Sequence, residues 1–125
     1  MTDIKVLLVD DEVEFASALS ERLRLRSYEA KAIYRAEDAI PFVKSDKPDV
    51  VLLDLKMPGM DGIEILEAIK QFDPTIEVII LTGHGDTESA DKGIKTGAFD
   101  YIMKPVDIGE LITKIEQAKK KKNSR

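Results

Sequence analysis

The chain has 125 residues, enough for one domain with a full hydrophobic core. Apolar residues make up 43% of it, which excludes disorder, and the lack of cysteine excludes disulfides, iron–sulfur clusters and thiolate zinc sites. The net charge of −5 is uneven: residues 119–125 carry five positive charges, leaving 14 basic against 24 acidic side chains on the rest, an acidic body unsuited to direct nucleic-acid binding.

Ile4 to Val9 is an apolar run, broken only by Lys5, and reads as a strand that stops at Asp10-Asp11-Glu12. From Val13 to Arg26 the spacing turns helical, with Phe15, Leu19 and Leu23 four apart. Glu29 to Ile33 reads as a weaker strand and Ala36 to Lys44 as a short helix, with Pro41 most comfortable in its first turns. Asp49 to Leu53 is a third strand that runs straight into Asp54 and the stiff turn Lys56-Met57-Pro58-Gly59-Met60-Asp61-Gly62. Asp61 reads as a support for that turn. Ile63 to Phe72 is a helix ended by Asp73-Pro74, and Glu77 to Leu81 a fourth strand. Thr82-Gly83-His84-Gly85-Asp86 is a loop whose Asp86 caps a helix to Thr96, a poor one with few apolar residues and an internal Gly93. Phe99 to Met103 is a fifth strand, Lys104-Pro105 a break, and Asp107 to Lys119 an amphipathic helix. The amino terminus has no secretory pattern and no apolar run is long enough for a bilayer, so a cytoplasmic protein without membrane association is expected.

Strand and helix alternate five times. Val6–Val9, Val50–Leu53 and Val78–Leu81 are continuously apolar. Such strands are buried on both faces, which implies an α/β fold: a parallel sheet covered by helices on each side. In an open parallel sheet the strand C-termini share one edge, and ligands bind there. That edge would gather Asp10, Asp11, Asp54, Thr82 and Lys104. Clustered carboxylates call for a cation, and an all-oxygen set suits Mg²⁺. With a lysine and a hydroxyl beside it, the set suits phosphoryl transfer to Asp54 as the nucleophile.

Asp10-Asp11, Asp54, Met57 through Gly62, Thr82-Gly83, Gly97-Ala98-Phe99-Asp100-Tyr101 and Lys104-Pro105, in this order and at these separations, resemble the receiver domain of bacterial two-component response regulators. The resemblance covers essentially the whole length. It implies a flavodoxin-like doubly wound five-stranded sheet of order 2-1-3-4-5. It implies that Asp54 takes a phosphoryl group from a sensor histidine kinase or phosphotransfer protein. Asp11 and Asp54 would then ligate Mg²⁺, or Mn²⁺ in its place, with Asp10 assisting through water and the Lys56 backbone carbonyl as a further ligand. Thr82 and Lys104 would bind phosphoryl oxygens, Tyr101 would be the aromatic switch, and Lys104-Pro105 would be a cis peptide. Lys56 and His84 would tune rates. The fourth helix, fifth strand and fifth helix would control an output domain or downstream protein, with phosphorylation-dependent homodimerisation an option. The Thr82-to-Asp86 string resembles receivers of nitrogen-regulatory transcription factors.

Residues 1–118 are expected to form this domain, and 119–125 a basic tail, helix end or start of a linker. The expected activity is self-phosphotransfer and autodephosphorylation, without turnover of small molecules. Two competitors are disfavoured by local sequence. A phosphohydrolase of haloacid dehalogenase type needs an acid where Lys56 stands, and a flavin-binding protein needs a phosphate loop where Asp10-Asp11-Glu12 would repel phosphate.

Overall fold

The computed structural model describes residues 4–59, 61–83 and 86–124. Five strands alternate with five helices: β1 (Lys5–Val9), α1 (Val13–Arg24), β2 (Glu29–Ile33), α2 (Ala36–Asp46), β3 (Val50–Asp54), α3 (Gly62–Phe72), β4 (Glu77–Thr82), α4 (Thr87–Thr96), β5 (Asp100–Met103) and α5 (Ile108–Asn123). All the pairings are parallel, and the sheet order is β2-β1-β3-β4-β5. The parallel sheet with helices on both faces, read from the apolar strands, is present, and so are the doubly wound form and the strand order that the resemblance implies.

Successive strand residues point to opposite faces, so each apolar run feeds two cores. Val6, Leu8, Leu52 and Leu81 pack with Leu19 and Leu23 of α1 and Leu111 and Ile115 of α5. Leu7, Val9, Leu53 and Ile80 pack on the other side with Ala39 and Val43 of α2 and Ile65, Leu66 and Ile69 of α3. Among the described residues, no helix is long and apolar enough to cross a membrane.

Several boundaries differ from the sequence reading. The first helix ends at Arg24 rather than Arg26, because the chain turns through Ser27, at φ 70°, to bury Tyr28 in the core. The second extends to Asp46 and takes Pro41 in its second turn, where the proline is exposed and removes only one helical N–H donor. The fifth helix continues through the lysine run to Asn123.

Gly93 has a role that spacing did not show. It is buried against the sheet, and a Cβ there would stand 2.0 Å from Ile80 Cδ1. The residue that weakens the helix is the one that lets it approach β4.

Candidate functional site

The sheet register assembles the site. Val9 of β1 pairs with Leu53 of β3, so Asp10 and Asp54 follow side by side. Thr82 ends β4 opposite Met103, and Lys104 follows, its N–H donating to the Thr82 carbonyl at 2.8 Å. The Lys104–Pro105 peptide is cis. Each central aspartate closes a small turn with its own backbone: Glu12 N–H donates to Asp10 Oδ1 and Lys56 N–H to Asp54 Oδ1, both at 2.9 Å. These bonds leave the second oxygen of each carboxylate directed elsewhere.

Lys104 Nζ meets those oxygens. It forms an ion pair with Asp10 Oδ2 at 2.8 Å and lies 3.8 Å from Asp54 Oδ2. It also pairs with the Glu12 carboxylate and lies over the Phe15 ring. Asp10 is fully buried and Asp54 nearly so. Burial pushes the Asp54 carboxyl above the usual aspartate range. The Lys56 N–H works against that, the Asp10 charge adds to it, and the Lys104 charge offsets part. Burial would also lower the Lys104 ammonium, but its contacts with Asp10 and Glu12, and the Asp10 and Asp54 charges, outweigh it and hold its pKa above normal. The cation and the buried acids therefore sustain one another.

Above these groups lies an open pocket of about 430 Å³, lined by Asp11, Glu12, Asp54, Lys56, Thr82, Asp86 and Lys104 among others. Carboxylate oxygens of Asp10, Glu12 and Asp54 come within 4.8 Å of one another. Carboxylate oxygens around an open pocket suit Mg²⁺ or Mn²⁺, and the cation that meets the buried Asp10 Oδ2 in this structure is the Lys104 ammonium.

Asp10, Asp54, Thr82 and Lys104 thus meet at one place, with Lys56 on the rim. Asp11 lines the same pocket from an exposed position, outside the group of three carboxylates. The Thr82 hydroxyl turns toward the start of α4 and donates to the Asp86 carbonyl at 3.1 Å. Asp86 holds the N-cap position of α4, where the sequence reading puts it, and Ser89 is among the groups that lower its pKa. Its carboxylate also pairs with Lys56 Nζ at 3.1 Å, the main reason its pKa is lowered. Tyr101 is half-buried on β5, away from the acids, and lines a separate depression with Met103 and Lys114. His84 lies outside the described residues, as does Met60. Glu12 is a site residue that the sequence reading does not single out. Its place directly after the two aspartates was the available signal, but its contact with Lys104, 92 residues away, required the fold.

A family model, the response regulator receiver domain, matches residues 6–116. The chain is 39% identical over 113 residues to the DNA-binding transcriptional regulator NtrC of Proteus hauseri, a match covering 90% of this chain and 24% of that protein. It is 38% identical over 111 residues to sporulation initiation phosphotransferase F of Bacillus subtilis, covering 89% of this chain and 90% of that protein. A solved receiver domain from Clostridium thermocellum superposes with a TM-score of 0.91 at 34% identity, covering 96% of this chain and 97% of that one. The chain spans about a quarter of the length of the NtrC regulators it matches.

Proposed function

The chain belongs to the response regulator receiver domain family, and on that premise we propose that it is a phosphorylation-controlled signalling switch with Asp54 as phosphoacceptor. The observation that carries this is the state of the Asp54 carboxylate. Oδ1 is tied down by the Lys56 N–H, while Oδ2 faces the Lys104 ammonium at the floor of an open pocket.

The donor would be a phosphohistidine on a sensor histidine kinase or phosphotransfer protein. Asp54 Oδ2 attacks phosphorus in line, the new P–O bond forms as the P–N bond breaks, and the electron pair stays on the imidazole nitrogen. Water later cleaves the acyl phosphate, restoring the carboxylate and releasing inorganic phosphate. This is self-phosphotransfer with autodephosphorylation, not turnover of small molecules. Asp11 and Asp54, Asp10 through water, and the Lys56 carbonyl would hold Mg²⁺ or Mn²⁺. Bound there, the cation would neutralise charge on the transferred oxygens. Lys104 pairs with one phosphoryl oxygen, and Thr82 leaves the Asp86 carbonyl to donate to another.

Release of Asp86 loosens the start of α4. Tyr101 follows Thr82 inward, and the surface of α4, β5 and α5 changes for an output domain, a downstream protein or a second copy. Lys56, which shares Asp86 in the resting state, and His84 would tune the lifetime of the signal. A cytoplasmic setting suits this chemistry.

Incubation with acetyl phosphate and Mg²⁺ tests the reading. One acid-stable, base-labile phosphoryl group is expected, absent without a divalent cation and absent from Asp54→Ala. A label that persists in Asp54→Ala would overturn it.

A further inference from the structure

Lys104 is one cation among three carboxylates, and the three differ in how they are held. Asp10 and Asp54 are buried, and each is fastened by an N–H two residues on. The Glu12 side chain is 60% exposed. Its backbone is fixed, since its N–H donates to Asp10 Oδ1 and its carbonyl accepts from Ala16 N–H at 2.9 Å. Its carboxylate is fastened by nothing but Lys104 among the described residues. A fixed backbone with a solvent-facing side chain is a holder that can let go.

We propose that Glu12 is a positioning residue that parks the Lys104 ammonium at the rim until a phosphoryl group on Asp54 draws it across. The inference rests on the phosphoacceptor reading above. In the resting state Lys104 Nζ is in contact with Asp10 and Glu12 and 3.8 Å from Asp54 Oδ2. A phosphoryl group on Asp54 brings oxygens of higher charge into that gap. Lys104 can keep its Asp10 contact and exchange only the exposed partner. Breaking the Glu12 pair is then a small fixed cost charged against every phosphorylation. Removing the Glu12 charge lowers that cost, and Lys104 engages the phosphoryl group more readily.

The alternative for Glu12 is direct coordination of the divalent cation, since its oxygen belongs to the same group of three. The two roles give opposite results. Calorimetric titrations with Mg²⁺ alone, then with beryllium fluoride as phosphoryl mimic in saturating Mg²⁺, would be run on the full chain. The set is wild type, Glu12→Gln, Lys104→Met and the double variant, with the mimic taken to millimolar levels so that weakened binding stays measurable. Glu12→Gln should leave the Mg²⁺ Kd within about three-fold and tighten the mimic by about three-fold, the size expected for loss of one exposed ion pair. In the Lys104→Met background the same change should do nothing.

Mg²⁺ binding weakened by about ten-fold or more in Glu12→Gln would make Glu12 a ligand and overturn the proposal. Equal tightening in both backgrounds would show a through-space charge effect and overturn it as well. So would unchanged or weaker binding of the mimic in Glu12→Gln. A wild-type chain that takes up no mimic overturns the phosphoacceptor reading itself, a result distinct from the other three.

Discussion

Aspartates in this protein repeat one local device with opposite electrostatic outcomes. Asp10, Asp54, Asp61 and Asp73 each accept from the N–H two residues on. At Asp73 the hydrogen bonds win: the Thr75 hydroxyl donates at 2.7 Å, the Thr75 N–H at 2.9 Å, and the carboxyl pKa is held below normal. At Asp54 the same N–H contact is overridden by burial, and the pKa rises. The difference is the depth of the strand end, which no turn motif specifies. A depressed folded-state pKa stabilises the fold above the unfolded value and loses that contribution as pH falls through the folded one. Thr75→Val should therefore destabilise the protein at pH 7. Its deficit against wild type should shrink as pH falls below about 4. Urea unfolding of both proteins between neutral pH and pH 3 measures it, and a deficit independent of pH would contradict this account.

Among the helices, α4 shows how propensity and packing compete. Its composition is poorly apolar, and Ala90 and Gly93 are its buried residues. Small side chains bring the helix close to β4 but give it little area to bury, which lowers its local stability. Gly93→Ala gains about 1 kcal/mol of helix propensity. It also drives a methyl group into Ile80, which is fully buried, and overpacking of this kind costs about 1–3 kcal/mol. A net loss near 1 kcal/mol is expected. Ile80→Val removes the obstructing Cδ1, so its usual cost should be smaller in the Gly93→Ala background than in wild type. Denaturant unfolding of the four proteins checks this coupling.

The two edges of the sheet divide the labour. Strand C-termini carry the acids, the hydroxyl and Lys104. The opposite edge carries anchors for the last turns of α5. Lys119 donates to Asp49 Oδ1 at 3.0 Å, and Lys122 to the Thr75 hydroxyl at 2.9 Å. Asp49 also accepts from the Lys5 N–H, so α5, β1 and the start of β3 meet at one carboxylate. The lysine run is therefore part of a packed helix in addition to being a source of positive charge. Deleting residues 119–125 should cost about 1–2 kcal/mol in unfolding free energy while leaving the Asp54 site intact. Thermal unfolding together with acetyl phosphate labelling of the shortened chain tests both halves of that statement.

Strand–helix alternation, the parallel sheet and the placing of Asp10, Asp54, Thr82 and Lys104 on one edge were legible from the residues alone, while the strand order that brings them together came with the family resemblance. Apolar continuity reports burial on both faces, and strand ends of a parallel sheet must share an edge. Lys56–Asp86, Glu12–Lys104 and the bond from the Thr82 hydroxyl to the Asp86 carbonyl were not legible, and neither was the need for glycine at 93. Each depends on where a flexible side chain goes once two distant segments have been brought within a few ångströms. Local sequence records which face of its own element a residue occupies. The neighbour it meets there is set by register and by helix approach, which exist only when the sheet is assembled.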